Sequence, residues 1–467
     1  MRPLPVLLLA LHAPLSLAAG LEESQLQTAA ALRDQALAGS GACAIVESLT
    51  TEVGPRLAGS EADARGRAWA EVKFRELGFD RVWTEAVSFP VWERGYESAA
   101  VVAPYPQPLI VTALGGTVGT PEGGVRAEVV AFPSLDALQA ADPASVAGKI
   151  VFLNQRMERA RDGSGYGRAV VIRAQGASVA GRAGAAAVLI RSVGTDSTSR
   201  TPHTGMMRYD NTPTRIPAAA LSNVDADLLE KILQRGEPVT VKLELGSRTR
   251  KGDYTSANVI GEITGRQAPQ EVVLLAAHLD SWDLGTGAID DGAGIAITMA
   301  AGALIGQQAQ PPRRSIRVVA YANEEQGIYG GKASAEAHAD DFHNHILALE
   351  SDFGAGRIYR FDTRFAEAAL PLATQMQTLL TPLGVERGSN EAYGGADIST
   401  LRAAEVPVAG LAQDGTLYFD IHHTANDTLD KIDAADLDQN VAGFVTVAWL
   451  AADSEAYLDE RERPAGD

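Results

Sequence analysis

Apolar and polar positions along the chain fall into three regimes. Residues 22 to 78 read mainly as helix: Leu26, Ala29, Ala30 and Leu32 begin one amphipathic run, and Ala68–Leu77 form another. Between them, Val53 to Ser60 carry Gly54, Pro55 and Gly59 and predict a loop. The rhythm changes near residue 95. From there to about 248 the chain shows short apolar runs parted by turns (Ala127–Phe132, Lys149–Leu153, Ala186–Ile190, Val239–Leu245) and few long helical patterns. That stretch predicts a β-rich domain inserted between two parts of another. From Asn258 onward strands and helices alternate. Val272–Ala277, Ile316–Ala322 and Ile346–Leu349 are nearly continuous apolar runs, as expected of strands buried on both faces. Helical periodicity follows at Gly292–Ile305, Gly330–Ala339, Ala366–Leu380 and Leu437–Leu450. The fold class this predicts is α/β, a mixed, mostly parallel sheet sandwiched by helices, with the β-rich insert.

Composition narrows the picture. At 467 residues the chain is long for one domain, and 46% hydrophobic with 21% charged residues is ordinary for a globular protein. A formal net charge of -19 disfavours nucleic acid as a partner, because that binding rests on phosphate neutralisation by Lys and Arg. Residues 1–20 begin with Arg2, continue through the apolar run Val6–Leu11 and end in the small residues Ser16, Ala18, Ala19 and Gly20. This is the pattern of a secretory signal and predicts a secreted or periplasmic protein. Pro3, Pro5 and Pro14 argue against a buried helix there. Beyond it no stretch approaches the roughly 20 apolar residues of a membrane span. Cys43 is the sole cysteine, so no intramolecular disulfide forms, and its apolar neighbours predict an inert thiol.

The candidate chemistry lies where the strands stop. Val272–Ala277 runs into His278-Leu279-Asp280, Ile316–Ala322 into Asn323-Glu324-Glu325, and Ile346–Leu349 into Glu350-Ser351-Asp352. Active sites of open α/β sheets form beyond the carboxyl ends of strands, so these groups are expected to converge. Histidine with several carboxylates suits zinc, with manganese as a harder alternative. Asp290, in Asp290-Asp291-Gly292-Ala293-Gly294, could bridge two ions, and His423, in His422-His423-Thr424, would complete the ligand set. Each signal has a plain alternative: Asp290-Asp291 suits a helix cap, Glu324-Glu325 a solvated helix start, and a lone histidine a structural role. His203, in Thr201-Pro202-His203-Thr204-Gly205, reads as a surface loop residue.

Together with Gly54-Pro55-Arg56-Leu57-Ala58-Gly59-Ser60 and the ending Tyr418-Phe419-Asp420-Ile421-His422-His423-Thr424-x-x-Asp427, these runs resemble the zinc aminopeptidases with co-catalytic metals, and within them a carboxypeptidase branch acting on unblocked dipeptides. The resemblance covers nearly all of the chain after residue 20. It implies the zinc-exopeptidase fold, two zinc ions per chain, Asp290 as the bridge, His278 and Asp352 on one ion, and Glu325 and His423 on the other. It implies Glu324 as general base, Asp280 as the carboxylate orienting His278, and Asp291 as partner of a cis peptide after Asp290. His422 is the nearest rival to His423. Tyr418 or Tyr393 could donate to a developing oxyanion. The runs Ala147–Phe152, Ala180–Ile190 and Ile216-Pro217 resemble a protease-associated domain, which implies a non-catalytic insert flanking the cleft. The expected division is an export signal at 1–20, a first part of the peptidase domain at 21–95, the insert at 96–248, and the catalytic remainder at 249–467. A short peptide is the expected substrate, and a homodimer is compatible with the sequence. Which end of the peptide is read depends on charge: Asp283 and Asp397 suit an amine, Arg357 and Arg402 a carboxylate. The competing readings are an aminopeptidase of the same family, a glutaminyl cyclase, another amidohydrolase, and an inactive binding protein on a peptidase scaffold. The last would be expected to lack part of the ligand set, and this chain has all of it.

Overall fold

The computed structural model describes residues 21–211 and 214–461, so the expected signal at 1–20 lies outside the described residues. The main body is built on an eight-stranded sheet. At its centre Ala268–His278 runs parallel to both Arg314–Tyr321 and His345–Glu350, and His345–Glu350 runs parallel to Val408–Gln413. Flanking strands turn antiparallel: Arg248–Ile263 beside Arg314–Tyr321 on one side, Ile358–Arg364 beside Val408–Gln413 on the other.

The apolar runs are continuous because both faces are covered. Val273, Leu275 and Ala277 point to a core shared with helices Glu23–Leu37, Ala42–Ser48, Ala293–Gly306 and Ala434–Asp453. Val272, Leu274 and Ala276 point the other way, onto Ile398, Leu401 and Val406. The segment Ala288–Gly306 is apolar and long enough to cross a membrane, yet all of it up to Ile305 is buried, and from Ala293 it forms the central helix of the first core.

The second body is drawn from strands between Glu97 and Leu245, again eight in one sheet. Its two edges are Gln107–Leu109 and Val111–Ala113, parted in sequence by Ile110 alone, so the sheet curls until its edges nearly meet. It carries more helix than its sequence predicts. Asn223–Leu233 packs Ala226, Leu229 and Ile232 on one face, and Val171–Arg182 covers the other with Ile172, Ala177 and Ala180. The second helix buries mostly Gly, Ala and Ser, so it shows no apolar stripe in the sequence.

A two-stranded ribbon joins the bodies: Arg81–Glu93 pairs along its length with Arg248–Ile263. Just beyond it the two chain passages touch, where the Gly246 amide donates to the Tyr96 carbonyl at 2.7 Å. A Cβ on Gly95, at φ +77°, would strike the backbone of Gly246. The junction is packed as well as threaded. Leu57, Trp92 and Trp282 of the main body join the core of the insert. Buried Arg94 binds Asp283 at 2.7 Å and donates to the Ala113 carbonyl of the insert at 2.7 Å.

Candidate metal centre

Parallel register brings the polar groups together. His278 lies opposite Tyr321 and Glu350 opposite Ala276, so the chain leaves all three strands at one edge. The strand before the glutamates stops at Tyr321, and a turn with Asn323 left-handed at φ 55° carries Glu324 and Glu325 into the cleft.

Asp290 stands at the centre. Its Oδ1 is 3.1 Å from His278 Nε2, and its Oδ2 is 3.2 Å from His423 Nε2. His278 Nε2 is 3.4 Å from Asp352 Oδ1, and His423 Nε2 is 2.9 Å from Glu325 Oε2. His422 stacks on His423 at 3.5 Å, with its own Nε2 3.6 Å from Asp290 Oδ2. The peptide between Asp290 and Asp291 is cis. Asp291 faces away from the cleft, accepting from the amides of His278 at 3.1 Å and Gly294 at 3.0 Å. Of the two aspartates, then, Asp291 caps the helix Ala293–Gly306 and Asp290 does not.

A framework holds Asp290 in place. Asp427 accepts from the amides of Ile289 at 2.6 Å and Asp290 at 3.1 Å. Arg56, fully buried, donates to the carbonyls of Leu279, Thr286 and Gly287, which fixes the loop between His278 and Asp290. Asp280 accepts from the amide of Glu324 at 2.9 Å. The nearest Asp280 atom to His278 Nδ1 is its carbonyl oxygen at 3.0 Å, while its carboxylate is 3.7 Å away. Asp280 therefore steadies the turn bearing Glu324 as directly as it steadies the imidazole.

The charge balance calls for a cation. Burial pushes Glu325 up to about 7, and burial together with the charges of Asp352, Asp397 and Glu325 holds Glu324 well above the usual carboxylate range. Burial opposes a charged His278, yet Asp352, Asp280 and Asp290 outweigh it and hold the ring well above its ordinary value. Asp290 Oδ2 and Glu325 Oε1 are buried without a hydrogen bond. Ring nitrogens and carboxylate oxygens gathered on either side of Asp290 form a donor set fitted to zinc.

The remaining sequence candidates divide. Tyr418 lines the cleft of about 290 Å³ with Glu324, Asp352 and His423. Tyr393 does not: it is 59% exposed in a neighbouring hollow, where Arg402 stacks on its ring at 4.3 Å. Asp283 is taken by Arg94, Arg357 lies 3.2 Å from Asp436, and Asp397 is buried against the amide of Gly331. His203 is buried and not on the surface; its ring lies 6.4 Å from that of His422, and burial lowers it to about 3. The reason is that the insert closes over the cleft at this loop, with the Thr204 amide donating to the His423 carbonyl at 3.0 Å. Sequence reasoning missed three cleft residues from the insert, Tyr166, Arg173 and Met206. An arginine in a helix without an apolar stripe reads as a solvated one.

Residues 258–448 match the model of Peptidase family M28, and residues 125–229 match the PA domain. Carboxypeptidase Q of Mus musculus is 35% identical over 410 residues, covering 88% of this chain and 85% of that protein. The chain belongs to peptidase family M28. It is a metallopeptidase, and a metallo-exopeptidase by its likeness to carboxypeptidase Q. Carboxypeptidase Q of Homo sapiens is similar to the same extent, 35% identical over 88% of this chain. Among solved M28 structures, a Peptidase M28 precursor from Shewanella amazonensis superposes with a TM-score of 0.92 at 50% identity, covering 95% of this chain and all of that one. A zinc aminopeptidase from Bacillus subtilis, 18% identical with a TM-score of 0.64 over 88% of this chain and 96% of its own, shares the fold.

Proposed function

We propose that this M28 enzyme is an exported di-zinc exopeptidase that hydrolyses dipeptides and short peptides from a free end. The observation that carries the reading is the run of close contacts from Asp352 through His278, Asp290 and His423 to Glu325, with buried oxygens left unbonded. His278 and Asp352 would hold one ion, Glu325 and His423 the other, and Asp290 both. His423 is preferred to His422 because its Nε2 lies closer to Asp290 and close to Glu325 as well. When bound, zinc supplies Lewis-acid activation of water and of the scissile carbonyl.

The protein's own groups do the rest. Glu324 takes the proton from the attacking water and passes it to the leaving nitrogen. Asp280 holds the backbone of Glu324, and Asp427 that of Asp290, so neither carboxylate wanders. Tyr418 stands in the cleft as a donor for the developing oxyanion. The insert, taken as residues 96–248, closes one side of the cleft and limits the length of peptide admitted. Export is supported by the signal-like residues 1–20, by the "precursor" in the name of the Shewanella relative, and by a probable lipoprotein aminopeptidase of Mycobacterium tuberculosis, 27% identical over 73% of this chain.

The test compares a free dipeptide with its N-acetylated and C-amidated forms and with casein, using zinc-loaded and chelator-treated enzyme. Cleavage of the free dipeptide, lost on chelation and weakened by blocking an end, is expected. Efficient internal cleavage of casein, or indifference to both blocks, overturns the exopeptidase reading.

A further inference from the structure

The cleft contains one Arg and no Lys among its lining residues, and that Arg comes from the insert. Arg173, on the helix Val171–Arg182, is 7% exposed. Its Nη1 donates to the Thr204 carbonyl at 3.3 Å and lies 3.5 Å from His423 Nδ1, and its Nη2 donates to the Tyr166 hydroxyl. Its Nε has no partner, and among the described residues no carboxylate pairs with it. A guanidinium this deeply buried without an anion is costly, so its position calls for one. Gly205, at φ +127°, makes the placement feasible, since a Cβ there would fall onto the guanidinium.

We propose that Arg173 is the anchor for the free carboxylate of the peptide substrate, so that the inserted body makes the enzyme read the carboxyl end. This rests on the exopeptidase reading above. The unpartnered Nε–H and the Nη2 edge form the fork that binds a carboxylate through two parallel hydrogen bonds. Tyr166 and Thr204 fix the plane of that fork. Only the width of the His423 ring separates the guanidinium from the Nε2 facing Asp290 and Glu325. An extended residue spans about 3.5 Å, so a carboxylate gripped there belongs to the residue next to the bond being cut. The other charged side chains of the cleft, Asp290, Glu324, Glu325 and Asp352, are carboxylates assigned to the metals and the base. None of them could hold this end.

The deciding measurement is binding, by calorimetry on the zinc-loaded enzyme, of free leucine against leucinamide. The wild type is expected to prefer the acid at least about tenfold, in keeping with one charge-assisted bidentate pair. Arg173→Gln should bring the ratio close to one, and Arg173→Lys should leave it between the two. Equal affinity in the wild type, which needs no variant to fold, overturns the proposal. So does an undiminished ratio in a folded Arg173→Gln enzyme. Turnover of the blocked dipeptides is read separately. Selective binding that depends on Arg173, in an enzyme that cleaves no dipeptide, would support the carboxylate site and sink the functional reading instead.

Discussion

Asp290 links the two halves of the site. Its two oxygens face different histidines, and its backbone and that of Ile289 are held by Asp427. A bridging role predicts that Asp290→Ala loses both metals together; metal analysis after dialysis checks this, and one full equivalent retained would refute the bridge. Glu324 gives the contrasting case. Glu324→Gln should keep the metals while kcat falls by roughly 10²- to 10⁴-fold, the usual worth of a general base. A metal-replete variant with near-normal kcat would remove Glu324 from that role. Glu324 was legible in the sequence because it closely follows an apolar run read as a buried strand, and Asp290 because its Asp-Asp-Gly-Ala-Gly setting opens a helix. Arg173, Tyr166 and the burial of His203 were not, because their surroundings are supplied by segments far away in the chain.

At the scale of elements, strands covered on both faces announced themselves and the joining ribbon did not. The first half of Arg248–Ile263 is exposed and polar, and its partner lies at Arg81–Glu93, a separation no local pattern can report. Among the contacts of that edge strand with the main body is an ion pair: His338, just after the helix Tyr329–Ala337, sits 2.9 Å from Glu85. The bond to Glu85 holds His338 above its ordinary 6.5 and Glu85 below its ordinary 4.5. The histidine's share of stability is therefore full below about pH 6.5 and lost as pH rises through its raised value, while the glutamate's share is lost on acidification. Both side chains are partly exposed, so the pair is worth about 0.5 kcal/mol. Denaturant melts should show His338→Gln costing that much near pH 6 and nothing near pH 9; an equal cost at both would mean that charge plays no part.

For the whole molecule, the shared core decides how the two bodies behave. Leu57, Trp92 and Trp282 of the main body lie in the hydrophobic core of the insert, and Arg94 is tied to both. Calorimetry of the metal-loaded enzyme should accordingly give one cooperative unfolding transition, and two well-separated ones would show that the bodies melt independently. The contact between Gly95 and Gly246 has a further consequence, for descent. Because the chain enters and leaves the insert at a single point, an ancestor could gain, lose or exchange the whole module through two neighbouring splices. The sheet edge that performs hydrolysis and the wall that selects what is hydrolysed can thus have separate histories. New diets for such enzymes would then arise by recombination, with the catalytic apparatus left as it was.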